Sequence, residues 1–138
     1  MASSQSVIPV QAHSLFKNRN FAFLSTIMED GSPQISPVWV DIEGDEILVN
    51  TAEGRVKQKN IARDPRVAIS IVDSANPYTM VTVRGRVVRQ GAEGAQIHID
   101  LMAKKYLGLD KYPFAAPGEK RILLRIKPEK AFFQPPRQ

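Results

Sequence analysis

The chain has no cysteine and only two histidines, His13 and His98, among its 138 residues. Without thiols there can be no disulfides, thiolate zinc sites, iron–sulfur clusters or cysteine nucleophiles, and cysteine usage leaves the redox compartment open. Two imidazoles far apart in sequence give no basis for a His-rich metal centre, and a Ser-His-Asp triad would have to use one of them. Aromatics are scarce, at 7% with a single Trp. No apolar run approaches the ~18 residues of a membrane span, and residues 1–10 combine neither a basic n-region nor a long apolar core. The expectation is a cytoplasmic protein with no membrane partner.

Lys and Arg number 19 against 14 Asp and Glu, a formal charge of +5. Such a surplus suits nucleic acid, an anionic surface, or a phosphorylated or carboxylated small molecule. The cations are spread along the chain, with no basic tail. A chain of this length can bury about two thirds of its unfolded surface. Residues 1–138 therefore read as one domain, with 1–10 as an N-terminal arm and 134–138 as a C-terminal tail.

Residues 13–18 read as a short helix whose Leu15 and Phe16 plug one end of the β-rich remainder. The run FAFLSTIM (21–28) is strand-like, Asp30-Gly31 is turn chemistry, and residues 34–42 alternate again, which predicts a hairpin. A turn at Gly44 leads into a third strand (46–51), so the three read as a meander. Pro33 and Pro37 cannot donate to a ladder, so the middle strand needs an edge or a bulge. A helix over 55–63 stops at Asp64-Pro65, because the residue before proline disfavours helical backbone. Strands come next over 66–72 and 79–89, with Gly85 marking a bulge or barrel bend. Residues 93–106 place Ala95, Ile99, Met102 and Tyr106 at helical spacing, with Ile97 and Leu101 beside them. A Pro/Gly-rich loop (108–118) precedes a last strand (121–127), which 131–133 could extend. Six or seven short antiparallel strands with Gly-bent patterns and few helices argue for a small, mainly β, closed or split barrel.

Two stretches carry chemistry. In Asn50-Thr51-Ala52-Glu53-Gly54-Arg55-Val56-Lys57-Gln58-Lys59-Asn60 a strand ends, a glycine permits a tight turn, and a helix begins with Arg55, Lys57 and Lys59 near its positive end. Helix N–H groups plus cations make an anion site suited to phosphate. A solvated basic helix face is the other reading, and the position after a barrel strand favours the site. In residues 30–39, alternation puts Gln34, Ser36 and Val38 on one face and Ile35, Pro37 and Trp39 on the other. Proline leaves neighbouring backbone groups unpaired and able to bond a flat heterocycle, although Trp39 could equally be core.

The order of FAFLST strand, DGSPQ turn, SPVW strand, NTAxGRxKxxN and DPRVA strand resembles the pyridoxamine phosphate oxidase-like split-barrel superfamily, from Leu15 to Phe132. It is most similar to its small deazaflavin (coenzyme F420)-dependent oxidoreductases. The resemblance implies that Arg55 and Lys57 bind a cofactor phosphate, with Lys59 a lesser third candidate, and that Val56 and Asn60 belong to the same cofactor-binding segment. It implies that Gln34, Ser36, Pro37 and Val38 line the ring, and that Asn50 and Thr51 contact the ribityl chain. It also implies a homodimer with two cofactor sites at its interface, where Pro77, Tyr78 and Met80 come from the other protomer. The cationic surplus would suit a phosphate, a lactate carboxylate and a polyglutamate tail.

Hydride chemistry on a ring cofactor asks the protein for position, dryness and electrostatics, which fits a sequence with no evident nucleophile or metal site. The expectation is a reductase acting on a small electrophilic molecule, with water or Tyr78 as proton source. FMN is the alternative cofactor, since the same cations serve either phosphate. A non-catalytic module that holds a flavin, deazaflavin or haem-like molecule is the other class. Nucleic-acid binding is disfavoured, because Arg84, Arg86 and Arg89 lack the interleaved aromatics that stack bases.

Overall fold

The computed structural model describes residues 6–136. The outer ends of the expected arm (1–5) and tail (137–138) lie outside the described residues. Seven strands form one antiparallel sheet: β1 (Ala22–Ile27), β2 (Pro33–Val38), β3 (Asp41–Glu43), β4 (Glu46–Ala52), β5 (Arg66–Val72), β6 (Met80–Gly91) and β7 (Arg121–Gln134). Their order is β2-β1-β5-β6-β7-β4-β3, so the two prolines of β2 lie on an edge strand, where missing donors cost least. Helices α1 (His13–Lys17), α2 (Val56–Arg63) and α3 (Ala95–Leu107) fill in around the sheet.

Alternation does the packing. In β5, Val67, Ile69 and Ile71 point inward, as do Leu24 on β1, Val49 on β4, Val83 on β6 and Leu124 on β7. These belong to one buried cluster that draws on all seven strands, which is how a curled sheet packs against itself in a split barrel. Phe16, Leu15 and Ile8 close one end, each burying a side chain worth about 1.5–3 kcal/mol. The expected arm is thus anchored by Ile8, which is fully buried. At the other terminus β7 runs on to Gln134, whose amide donates to the Tyr78 carbonyl at 2.7 Å. That residue belongs to the strand and not to a tail. At Gly85 the β6–β7 register shifts, and a Cβ there would run into the Lys127 carbonyl.

The expected meander is wrong in one respect. Residues 34–42 are two strands, with β2 paired to β1 and β3 paired to β4. Between them the chain leaves the ladder, and the split is sealed by α3. There the Tyr106 hydroxyl accepts from the Val40 N–H (3.1 Å) and donates to the Asn20 carbonyl (2.6 Å). Lys105 Nζ donates to the carbonyls of Val40 and Phe16, both at 2.6 Å. Buried backbone polar groups require such partners. Burial holds the Lys105 amine down to about 8 and pushes the Tyr106 phenol up to about 12. On α3, Ile99, Met102 and Tyr106 are buried as the spacing predicts, whereas Ile97 and Leu101 face outward, 71% and 58% exposed. Among the described residues no helix is long and apolar enough to cross a membrane.

Candidate functional site

The chain turns from β4 into α2 through Gly54, whose φ of +89° suits glycine. Arg55 is the N-cap in extended conformation, and no side chain caps the helix. Arg55 and Lys57 at this end share a cleft with Asn50 of β4 and Arg121 at the start of β7. The β4–β7 register sets Ala52 opposite Arg121, so the strand pairing brings the two basic segments together.

The cationic groups are unequally satisfied. Arg121 is 7% exposed; its Nε donates to Asn50 Oδ1 at 2.9 Å and its Nη1 to Glu119 Oε2 at 3.1 Å. Arg55 reaches the other oxygen of Glu119 at 3.3 Å. Thus Glu119, with an 8% exposed side chain, bridges both guanidiniums. Burial, reinforced by Arg55 and Arg121, pulls the Lys57 amine below its ordinary value. One carboxylate among three cations leaves a positive field beside an uncapped helix start, the setting in which an anion binds.

The remaining walls are flat and apolar. Pro37, Val38 and Trp39 come from the end of β2 and the split, Ile99 from α3, Phe21 from the approach to β1, and Tyr112 and Phe114 from the loop before β7. Trp39 stacks on Tyr106 (5.1 Å, 5°) and meets Tyr112 edge-on (6.0 Å, 88°). Tyr112 in turn carries Phe114 edge-on at 5.7 Å and lies under the Arg121 guanidinium at 4.8 Å. A phosphate at the cations with a planar group against the aromatic and proline walls fits this donor set.

Of the residues singled out from sequence, Pro37, Val38, Asn50, Arg55 and Lys57 meet in this cleft. Others lie elsewhere. Gln34 accepts from Thr26 Oγ1 at 3.3 Å, and Ser36 Oγ is buried without a protein partner. Thr51 is buried, while Val56 and Lys59 are exposed on α2. Asn60 is drawn inward: its amide donates to Thr26 Oγ1 at 3.0 Å and its oxygen accepts from Arg63 at 3.0 Å. It ties α2 to β1 and does not reach the cleft. Pro77 and Tyr78 lie in the β5–β6 connection and Met80 opens β6 opposite Val72, all outside the cleft of their own chain. Arg121, Glu119, Tyr112 and Phe114 escaped sequence reading; the only available signal was a charged pair at the end of a Pro/Gly-rich loop. Neither histidine lines the cleft, and among the described residues no cluster of His, Asp or Glu could hold a metal.

A family model described as pyridoxamine 5'-phosphate oxidase matches residues 8–135. Among solved structures, the chain is similar to a protein named F420 reductase, at 25% identity and TM-score 0.79, over 91% of this chain and 98% of that one. It is also similar to HupZ of Group A Streptococcus (19% identity, TM-score 0.67, 91% and 93% covered). General Stress Protein 26 of Bacillus anthracis aligns at 16% identity and TM-score 0.66, with 92% and 93% covered. The last two speak to the fold alone.

Proposed function

The chain belongs to the pyridoxamine 5'-phosphate oxidase family, whose members bind flavin-type cofactors and include oxidoreductases. On that premise we propose that it is a coenzyme F420-dependent oxidoreductase that transfers hydride between the deazaflavin and a small electrophilic organic substrate. The observation that carries the reading is the convergence of Arg55, Lys57 and Arg121 beside an apolar, aromatic-walled cleft. The similarity to an F420 reductase favours the deazaflavin over FMN.

Arg55 and Lys57 would hold the cofactor phosphate, with Arg121 braced behind them by Glu119 and Asn50. Pro37 and Val38 would flank the ring. When bound, the reduced cofactor supplies the hydride, so the chain needs no nucleophile of its own. Phe21, Trp39, Tyr112 and Phe114 would offer apolar surface to an organic substrate lying beside the ring.

A second copy of the chain completes the site in this reading. One chain encloses only about 180 Å³ at the cleft, against ~300 Å³ at the small end of ligand pockets. Pairing registers set Pro37, Phe23, Ser70, Thr82 and Phe132 in one row across β2, β1, β5, β6 and β7. Phe23 and Phe132 in that row are 44% and 61% exposed. Because Pro37 also lines the cleft, a copy seated on this row would border the cofactor and could bring Pro77, Tyr78 and Met80 to it.

Titration of the purified protein with coenzyme F420 and with FMN, alongside its visible spectrum, tests the proposal. The expected result is saturable F420 binding, little co-purifying flavin, and turnover of the reduced deazaflavin by quinone or enoate substrates. Stoichiometric yellow flavin would replace F420 by FMN, binding without turnover would make this a carrier module, and binding of neither would overturn the cofactor reading.

A further inference from the structure

His98 takes no part in the cleft, yet it is 6% exposed and lies one residue away from it in a hydrogen-bond chain. The intermediary is Asn50. Its Nδ2 donates to the Ala95 carbonyl at 2.8 Å and lies 3.2 Å from His98 Nδ1, while its Oδ1 accepts from Arg121 Nε at 2.9 Å. A carbonyl can only accept and a guanidinium can only donate. The amide orientation is therefore fixed from both sides, and His98 Nδ1 must be an acceptor.

We propose that His98 is a positioning residue for the cationic site: its neutral ring, protonated on Nε2, accepts at Nδ1 from Asn50 and keeps Asn50 Oδ1 aimed at Arg121. A second proton would set an N–H of His98 against an N–H of Asn50. Relief by turning the amide would cost the Ala95 bond and face Nδ2 toward Arg121 Nε–H, two donors again. Arg121 would lose one of its two side-chain acceptors, leaving Glu119. His98 thus sets the orientation of a guanidinium it never touches.

The charges around the ring are mixed. Asp41 and Glu43, at the two ends of β3, favour the imidazolium; Arg125 of β7 and Lys105 of α3 oppose it. Burial is the largest influence and pulls the ring below its ordinary value of 6.5. Above that range His98 is neutral and Arg121 is held; as pH falls through the lowered value the anchor is lost.

For the binding readout this inference rests on the cleft being the cofactor phosphate site; the structural readout does not. Nitrogen-15 NMR of the full chain without cofactor should show neutral His98 with its proton on Nε2 at pH 7.5. The Arg121 Nε–H signal should shift or broaden in step with His98 protonation as the pH is lowered toward 5, with His13 identified by a His13→Gln variant. An Arg121 signal unmoved through the His98 titration, or a ring protonated on Nδ1, overturns the proposal. In the second arm, His98→Leu should raise the Kd for coenzyme F420 or FMN on the order of fivefold but add nothing in an Asn50→Leu background, the mark of action through that residue. Additive losses would overturn it. If neither cofactor binds the wild type, the functional reading of the cleft fails while the NMR arm still decides the role of His98.

Discussion

The plugged end and the cleft use polar side chains in opposite ways. Where α1 and α3 seal the split, polar groups are matched to backbone: Asn20 donates to the Leu15 carbonyl at 3.0 Å and accepts from the Ser74 N–H at 3.0 Å. Tyr106 and Lys105 do the same for Val40 and Phe16. At the cleft, Arg55 and Arg121 share the one carboxylate of Glu119, and Lys57 sits in the field of both guanidiniums. The plugged end ties its buried polar groups to backbone, even Lys105, whose amine burial lowers to about 8; the cleft gathers three cations around one carboxylate. Charge concentrated beside an uncapped helix start is a setting that favours an anion.

Removing one partner of a buried pair tests the contrast hardest. Arg121→Leu should lower stability in urea unfolding by about 3–5 kcal/mol, because Glu119 is left buried with its charge less compensated. The double variant Arg121→Leu/Glu119→Leu should recover most of that loss, and failure to recover would mean that the guanidinium matters for packing instead. At the plugged end, Tyr106→Phe leaves the Asn20 carbonyl and Val40 N–H without their partner, a loss of about 1–3 kcal/mol in stability. Its cofactor Kd should not change. Lys57→Ala should do the reverse, weakening cofactor binding by about 1–3 kcal/mol. Its thermal stability should hold or rise, since repulsion from Arg55 and Arg121 is relieved. A fall in stability with normal binding would erase the distinction between the two ends. Lys59→Ala, on the exposed face of α2, should change both by less than about 0.5 kcal/mol.

Sequence revealed what local pattern determines. Alternation located the strands, Asp64-Pro65 marked the end of α2, and Gly85 marked an irregularity in β6. Arg55 and Lys57 stood out because glycine, helix start and cations are contiguous. The break between β2 and β3 did not, since alternation runs through residues 34–42 and the reason for the break, capture of Val40 by Tyr106 and Lys105, lies across the fold. Arg121 and Glu119 were hidden likewise, as strand pairing alone brings them to Asn50 and Arg55. Asn60, singled out through the family resemblance, hydrogen-bonds Arg63 on its own helix and Thr26 across the fold, a contact that no local pattern announces.

Everything proposed for the cleft depends on its cations binding phosphate. The most direct test is the Kd of coenzyme F420 compared with that of the same chromophore stripped of its phosphate, with FMN and riboflavin as the parallel pair. The phosphate-bearing form should bind tighter by on the order of tenfold or more, the scale of a charge-assisted hydrogen bond. Equal affinity for the two forms would contradict a phosphate site at Arg55 and Lys57.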